Sequence, residues 1–157
     1  MIIKIKTKIK ECFNRFVRIL IYPSVMNILR FDVRIFTDPD RVFVSKTAYL
    51  CNALLNTNSG TITIGEYTFF SHNVSIITGT HDYSLTGRDR MTYFPKNGYD
   101  IVIGNGVWIG SNVTIIGPCV IGDNSVIAAG AVVINDVTAN SVVAGVPAKL
   151  IRMIPVK

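Results

Sequence analysis

A branched aliphatic residue returns at every sixth position between residues 103 and 133. The six positions are Ile103, Ile109, Ile115, Ile121, Ile127 and Val133. A period of six matches neither an amphipathic helix nor an ordinary hairpin sheet. It is typical of a β-solenoid, in which short strands end at corners and the chain turns onto the next face.

The positions around these anchors also fit short strands and tight corners. Two residues before the anchors stand apolar or small residues, namely Ile101, Val107, Val113, Cys119, Ser125 and Ala131. Alternate residues of a strand point to the same side, so both members of each pair are predicted to face the core. Three residues after the anchors come the predicted corners, Gly106, Asn112, Pro118, Asn124, Gly130 and Asp136.

A loop is predicted to interrupt the solenoid. Ile76 belongs to an earlier block in the same frame, but it lies 27 residues before Ile103 (103 − 76), which is not a multiple of six. The predicted organisation is therefore a basic amphipathic segment over 1–34, a β-helix over 35–146 with a loop over 77–100, and a C-terminal helix and tail over 147–157. Pro147 is expected to begin that helix, since proline suits a first helical turn.

The net charge of +6 resides entirely in residues 1–34, which hold eight cations and two acids (8 − 2), whereas the remainder has eight of each. This segment has no apolar run of about 20 residues that could span a bilayer. Its charges also interrupt any signal-peptide core, which predicts a cytoplasmic protein. Two interpretations stay open: a helical cap on the β-helix, or an amphipathic helix at the inner face of the membrane. No nucleic-acid-binding module is recognisable.

Cysteine usage indicates neither disulfides nor a metal site. Cys12, Cys51 and Cys119 are odd in number and widely spaced, and Cys119 falls on an inward hexad position. Such a pattern is typical of a reducing compartment, and no metal is expected.

The loop contains a histidine with a chemically useful position. His81 closes the sequence Thr-Gly-Thr-His directly after the last strand before the excursion. Histidine titrates near neutral pH, so its neutral form can remove a proton from an acceptor group. Position alone also allows a solvated histidine with no catalytic role.

Three motifs together resemble one family. They are the histidine motif 78–81, the block Asn-Gly-Val-Trp-Ile-Gly over 105–110, and Ala-Gly-Val-Pro-Ala-Lys over 144–149. In this order the chain resembles the hexapeptide-repeat acyltransferases. Within them it is similar to the sugar O-acetyltransferase group, which includes galactoside and maltose acetyltransferases and O-acetyltransferases of bacterial surface polysaccharides.

The resemblance implies a left-handed parallel β-helix assembled as a homotrimer, with active sites between subunits. It implies acetyl-CoA as co-substrate and His81 as general base. It places the coenzyme against Trp108, Ser111, Ala129, Gly145, Lys149 and Arg152. Trp108 is also predicted from strand alternation to face outward, and Lys149 and Arg152 offer cations for phosphates. Candidates to orient His81 or to contact the acceptor are Asn52, Asp82, Tyr83, Arg88 and Arg90.

The predicted function is acetyl-CoA-dependent O-acetylation of a saccharide hydroxyl, in bacterial surface-polysaccharide biosynthesis. The alternative is N-acetylation of a nucleotide-linked amino sugar, because Arg88 and Arg90 would suit phosphates. A zinc hydratase on the same fold would need about three histidines, and the chain has two. A purely structural solenoid would have no use for the loop with His81.

Overall fold

The computed structural model describes residues 32–155 of the protein. The helical cap predicted within residues 1–34 therefore lies outside the described residues, except for the last three positions of that segment. Over the described range, no helix has the length and apolar character needed to cross a bilayer.

Three sheets, which we call faces A, B and C, enclose one core, and their strands are parallel except for the last strand of face C. Face A consists of β1 (Arg34–Phe36), β3 (Leu54–Asn56), β6 (Ser75–Ile77), β9 (Thr114–Ile116) and β12 (Val132–Val133). Face B consists of β2 (Val42–Val44), β4 (Ile62–Ile64), β7 (Ile101–Ile103) and β10 (Cys119–Ile121). Face C consists of β5 (Phe69–Phe70), β8 (Trp108–Ile109), β11 (Val126–Ile127), β13 (Ser141–Ala144) and β14 (Lys149–Met153). A 3-10 turn covers Pro39–Arg41, and the loop holds one helix, α1 (Gly87–Thr92).

One coil of this β-helix takes 18 residues after the loop, because Ile101 pairs in register with Cys119 (119 − 101). Three hexads therefore make one coil, one hexad for each face. All six hexad anchors are at most 1% exposed, so the predicted inward column is confirmed. Burial of each such side chain contributes about 1.5–3 kcal/mol to stability.

Four of the six predicted corners adopt the left-handed conformation that the hexad pattern implies. Gly106, Asn112, Asn124 and Gly130 have φ between 56° and 73°. Glycine and asparagine tolerate this region better than other residues. Asp136 supports its corner differently, because its carboxylate accepts a hydrogen bond of 2.8 Å from the Val120 amide.

The predicted C-terminal helix is wrong, because residues 149–153 form strand β14. This strand pairs antiparallel with β13, with Ala144 opposite Lys149. Gly145 has φ 97° and lets the chain reverse, so Pro147 lies in a turn rather than in a first helical turn. The reversal satisfies backbone groups on the edge of β13 that would otherwise lack partners.

The inward position of Cys119 makes its thiol unreactive. Cys119 is 3% exposed, and burial raises its pKa to about 12. Because the thiolate is the nucleophile, we expect iodoacetamide at pH 8 to leave Cys119 unmodified in the folded protein and to modify it in urea. Peptide mapping by mass spectrometry measures this, and equal labelling in both conditions would contradict the inward placement.

Candidate active site

The loop, residues 78–100, leaves the solenoid at the corner between faces A and B and is fixed to it where it begins. The hydroxyl of Thr78 donates to the Asn56 carbonyl at 2.9 Å. Gly79 follows, and a Cβ there would lie 2.6 Å from the Asn56 side-chain oxygen. Only glycine fits this passage without displacing Asn56, which explains the small residue two positions before His81.

The loop is fixed again where it returns. One carboxylate oxygen of Asp100 accepts hydrogen bonds from the amide of Thr61 at 2.6 Å and from its hydroxyl at 2.8 Å. These bonds hold the pKa of Asp100 below its usual value, and the bond from the Thr61 amide contributes most. Arg41 also donates to the Lys96 carbonyl at 3.0 Å and to the Asn97 side chain at 2.7 Å. Loop position is thus set by the coils on which it rests.

His81 is oriented by a backbone carbonyl from the far side of the loop. Its Nδ1 lies 2.9 Å from the carbonyl oxygen of Tyr93. A carbonyl can only accept, so Nδ1 carries the hydrogen and the neutral ring keeps its lone pair on Nε2. The rings of Phe94 and His81 form an edge-to-face contact, with centroids 6.3 Å apart. Nε2 is therefore the atom of His81 that can take a proton.

This tautomer is a testable consequence of the Tyr93 contact. We expect ¹⁵N-edited NMR of the neutral His81 ring to show a protonated Nδ1 and an unprotonated Nε2. A ring protonated at Nε2 would contradict the hydrogen bond to Tyr93 and would remove the base from that atom.

His81 lies on the wall of a cavity of 510 Å³ that the loop forms within one chain. Residues 80–84 line the cavity together with Tyr93, Pro95 and Tyr99. Three tyrosines and one carboxylate share this space with the imidazole. Such a mixture of aromatic surface and few polar groups is typical of small-molecule sites.

Asp82 and Asn52 do not orient His81 in this structure, contrary to one of the roles predicted for them. One Asp82 oxygen accepts from the Ser84 hydroxyl at 2.6 Å and from the Ser84 amide at 2.9 Å. These bonds lower the pKa of Asp82, and the bond from the Ser84 hydroxyl contributes most. Asn52 exchanges hydrogen bonds of 2.8 and 2.7 Å with Asn73 at a solenoid corner. Asp82 nevertheless lines the cavity, and its contact with an acceptor stays a prediction.

The two loop arginines have different positions. Arg90 donates to the carbonyls of Leu85 and Tyr83, the latter at 2.9 Å, and thereby braces the loop. Arg88 is exposed on α1, and its side chain makes no hydrogen bond to any other part of residues 32–155. Neither side chain lines the cavity, whereas Tyr83 does and is 89% exposed.

The small residues predicted to contact the coenzyme stack along the corner between faces C and A. Val126 pairs with Trp108 and Val142, which places Ser111, Ala129 and Gly145 at equivalent positions of successive coils. The Gly130 amide donates to the Ser111 carbonyl at 2.9 Å, which continues the same register. These three residues leave a row without large side chains, which an extended pantetheine chain would fit.

Trp108 faces outward from face C, as predicted, and is 47% exposed. It stacks on Phe69 with centroids 6.0 Å apart and ring planes 14° from parallel. On the last strand of this face, Lys149 and Arg152 are exposed and lie opposite Ala144 and Val142. The two cations are thus available at the end of the row for phosphate groups.

Within one chain, the two halves of the predicted site lie at different corners of the β-helix. The His81 loop begins and ends at the corner between faces A and B, whereas Ser111, Ala129 and Gly145 follow the corner between faces C and A. Residues 32–155 contain no cluster of three histidine, cysteine, aspartate or glutamate side chains that could hold a metal ion.

The Tyr93 carbonyl and the cavity wall formed by Pro95 and Tyr99 were not predicted from the sequence. A backbone carbonyl leaves no trace in residue type. The aromatic residues 93, 94 and 99 near the end of the loop were the one available signal, since a polar loop has no other reason to be rich in aromatic side chains.

Comparison with known proteins agrees with this architecture. The profile of the family described as bacterial transferase hexapeptide (six repeats) matches residues 100–135. The galactoside O-acetyltransferase of Escherichia coli is 37% identical over 123 residues, which cover 76% of this chain and 57% of that protein. The chain spans about half the length of the curated relatives it matches.

Two solved structures are similar in fold as well as in sequence. A maltose O-acetyltransferase from Clostridium difficile has a TM-score of 0.56 and 28% identity, and the match covers 80% of this chain and 68% of that one. The hexapeptide-repeat-containing acetyltransferase VCA0836 of Vibrio cholerae, in complex with acetyl coenzyme A, has a TM-score of 0.53 and 29% identity, covering 79% and 70%. The chain, a left-handed parallel β-helix, is therefore similar to the hexapeptide-repeat transferases, and among them it resembles the galactoside and maltose acetyltransferases.

Proposed function

We propose that this protein transfers the acetyl group of acetyl-CoA to a hydroxyl group of a saccharide. The observation that carries the proposal is the imidazole of His81, which the Tyr93 carbonyl holds with Nε2 as the basic atom beside a cavity of 510 Å³. Similarity to galactoside and maltose O-acetyltransferases supports the acceptor class, and the acetyl coenzyme A complex of the similar Vibrio cholerae acetyltransferase supports the donor.

In the proposed reaction, Nε2 of His81 removes the proton of the acceptor hydroxyl as its oxygen attacks the thioester carbonyl. A tetrahedral intermediate forms, the C–S bond then breaks, and the proton passes from His81 to the departing sulfur. The products are an acetyl ester and CoA thiol, so atoms and charge balance. General-base assistance of this kind contributes about 10²–10⁴ in rate.

We place acetyl-CoA along the corner of Ser111, Ala129 and Gly145, beside Trp108, with Lys149 and Arg152 as phosphate ligands. Because this row and His81 lie at different corners of one chain, we propose a homotrimer in which they meet across a subunit interface. The exposed aromatic pair of Trp108 and Phe69 supports an interface on face C, because such a patch is typical of a contact or ligand surface.

The proposed role is O-acetylation in bacterial surface-polysaccharide biosynthesis, in the cytoplasm. The support for this role is the resemblance to that group of acetyltransferases. Residues 1–34 carry the net charge of +6 and provide the proposed peripheral contact with the inner face of the membrane.

The test is CoA thiol release from acetyl-CoA with two sets of acceptors, hydroxyl-only saccharides and nucleotide-linked amino sugars. We expect release with hydroxyl-only saccharides and its loss in a His81→Ala variant. Release with amino sugars alone would instead favour the alternative, N-acetylation. Release with neither set, by protein that binds acetyl-CoA, would contradict both.

A further inference from the structure

The charges around the cavity indicate which class of acceptor it takes. Asp82 brings a carboxylate to the wall beside His81, and within residues 32–155 no lysine or arginine lines this cavity. We propose that the cavity selects an uncharged, hydroxyl-bearing sugar over anionic sugars in binding and over amino sugars in acetyl transfer, and that Asp82 is the residue that determines this specificity. The proposal rests on the function proposed above.

The Asp82 carboxylate is held in place and has one oxygen available to accept hydrogen bonds. Ser84 engages one of its oxygens through both the hydroxyl and the amide, which fixes the carboxyl group. The second oxygen accepts no hydrogen bond from residues 32–155. The same contacts keep the pKa of Asp82 low, so the group is an ionised acceptor at neutral pH. A sugar hydroxyl donates to such an oxygen, whereas a phosphate oxygen is repelled by it.

Among the described residues, none of the cations near the loop lines the cavity. Arg88 is exposed on α1, and the other three are engaged elsewhere, although the charge of Arg90 also helps to lower the pKa of Asp82. Arg90 donates to the carbonyls of Tyr83 and Leu85. The ammonium of Lys96 lies over the Phe94 ring, 4.0 Å from its centroid. Arg41 is bonded to the Thr57 and Lys96 carbonyls and to Asn97. An anionic acceptor would therefore meet the Asp82 carboxylate without a compensating cation in the wall.

An amino sugar is disfavoured for a different reason. A carboxylate within a few ångströms stabilises the protonated form of an amine, and a protonated amine has no lone pair for attack on the thioester. A hydroxyl has no such form at neutral pH. The three tyrosines of the wall, Tyr83, Tyr93 and Tyr99, add apolar surface with polar edges, which suits the faces of a pyranose ring.

The test compares binding of methyl hexosides with binding of the matching hexose 1-phosphates and methyl amino-hexosides by saturation-transfer NMR and titration calorimetry. The proteins are the wild type, Asp82→Asn, and Asp89→Asn as a matched control on α1. We expect wild-type protein to bind at least one neutral hexoside more tightly than its phosphate counterpart, and to bind the protonated amino-hexoside without acetylating it. Asp82→Asn should weaken binding of the neutral hexoside by about ten- to hundredfold, with Asp89→Asn unchanged.

Binding needs no turnover, so the comparison of neutral and phosphorylated hexosides is independent of whether acetyl transfer occurs. Thiol release with the same sugars tests the proposed function separately. The inference is overturned if no neutral hexoside binds, if a phosphate binds equally well or better, if an amino-hexoside is acetylated as fast as its neutral counterpart, or if Asp82→Asn changes affinity less than threefold. Unchanged acetyl-CoA affinity and thermal unfolding of Asp82→Asn would show that the variant is folded.

Discussion

Replacement of His81 by alanine is expected to lower kcat for acetyl transfer by about two to four orders of magnitude. The imidazole is the group whose Nε2 is left basic by the Tyr93 carbonyl, and alanine offers no proton acceptor in its place. Affinity for acetyl-CoA should stay within about twofold, because the coenzyme is proposed to bind along another corner. Steady-state thiol release and titration calorimetry measure the two quantities.

Two controls separate a chemical role for His81 from a structural one. Added imidazole should restore part of the activity of His81→Ala, since it can occupy the vacated space and accept the proton. Asp89→Asn, on α1 and away from the cavity, should retain wild-type turnover. A loss of less than tenfold in His81→Ala would show that His81 is not the general base.

Replacement of Ile115 by alanine is expected to lower the free energy of unfolding by about 2–5 kcal/mol. Ile115 is fully buried in the inward column and is sandwiched between coils that pair through Ile76 and Val133. The truncated side chain leaves a cavity that the neighbouring coils fill only in part. Urea denaturation followed by circular dichroism, at one subunit concentration, measures the change.

The next residue supplies the matched control. Ile116 is in the same strand but points outward and is 37% exposed. Ile116→Ala should therefore cost less than about 1 kcal/mol, because far less apolar surface leaves the interior. Equal costs at the two positions would contradict the hexad register.

The hexad pattern predicts the fold well because each turn of the solenoid repeats the same local requirement. An aliphatic side chain such as that of Ile109 or Ile121 is buried in the core of the coil. At the corner, a residue such as Asn112 tolerates the left-handed conformation that the turn needs. The hexad pattern did not predict the structure of the C-terminal segment. Residues 149–153 form strand β14 rather than a helix because the edge of β13 is otherwise unpaired. This is a tertiary feature, and Pro147 gives no indication of it in the sequence.

The candidate site was predictable only in part. His81 was identifiable from its motif and Trp108 from strand alternation, but the partner of the imidazole is a backbone carbonyl, which no residue type reveals. The role of Arg90 was equally hidden. Its charge suggested a phosphate ligand, whereas its guanidinium braces loop carbonyls. Side-chain direction within a loop depends on contacts that spacing does not encode.

The most direct measurement is ¹³C NMR of the product formed from acetyl-CoA labelled at the acetyl carbonyl, with neutral hexosides as acceptors. We expect a new carbonyl signal of an acetyl ester on the sugar, formed by wild-type protein and nearly absent with His81→Ala. An amide signal from an amino sugar alone, or an ester formed equally fast without His81, would contradict it.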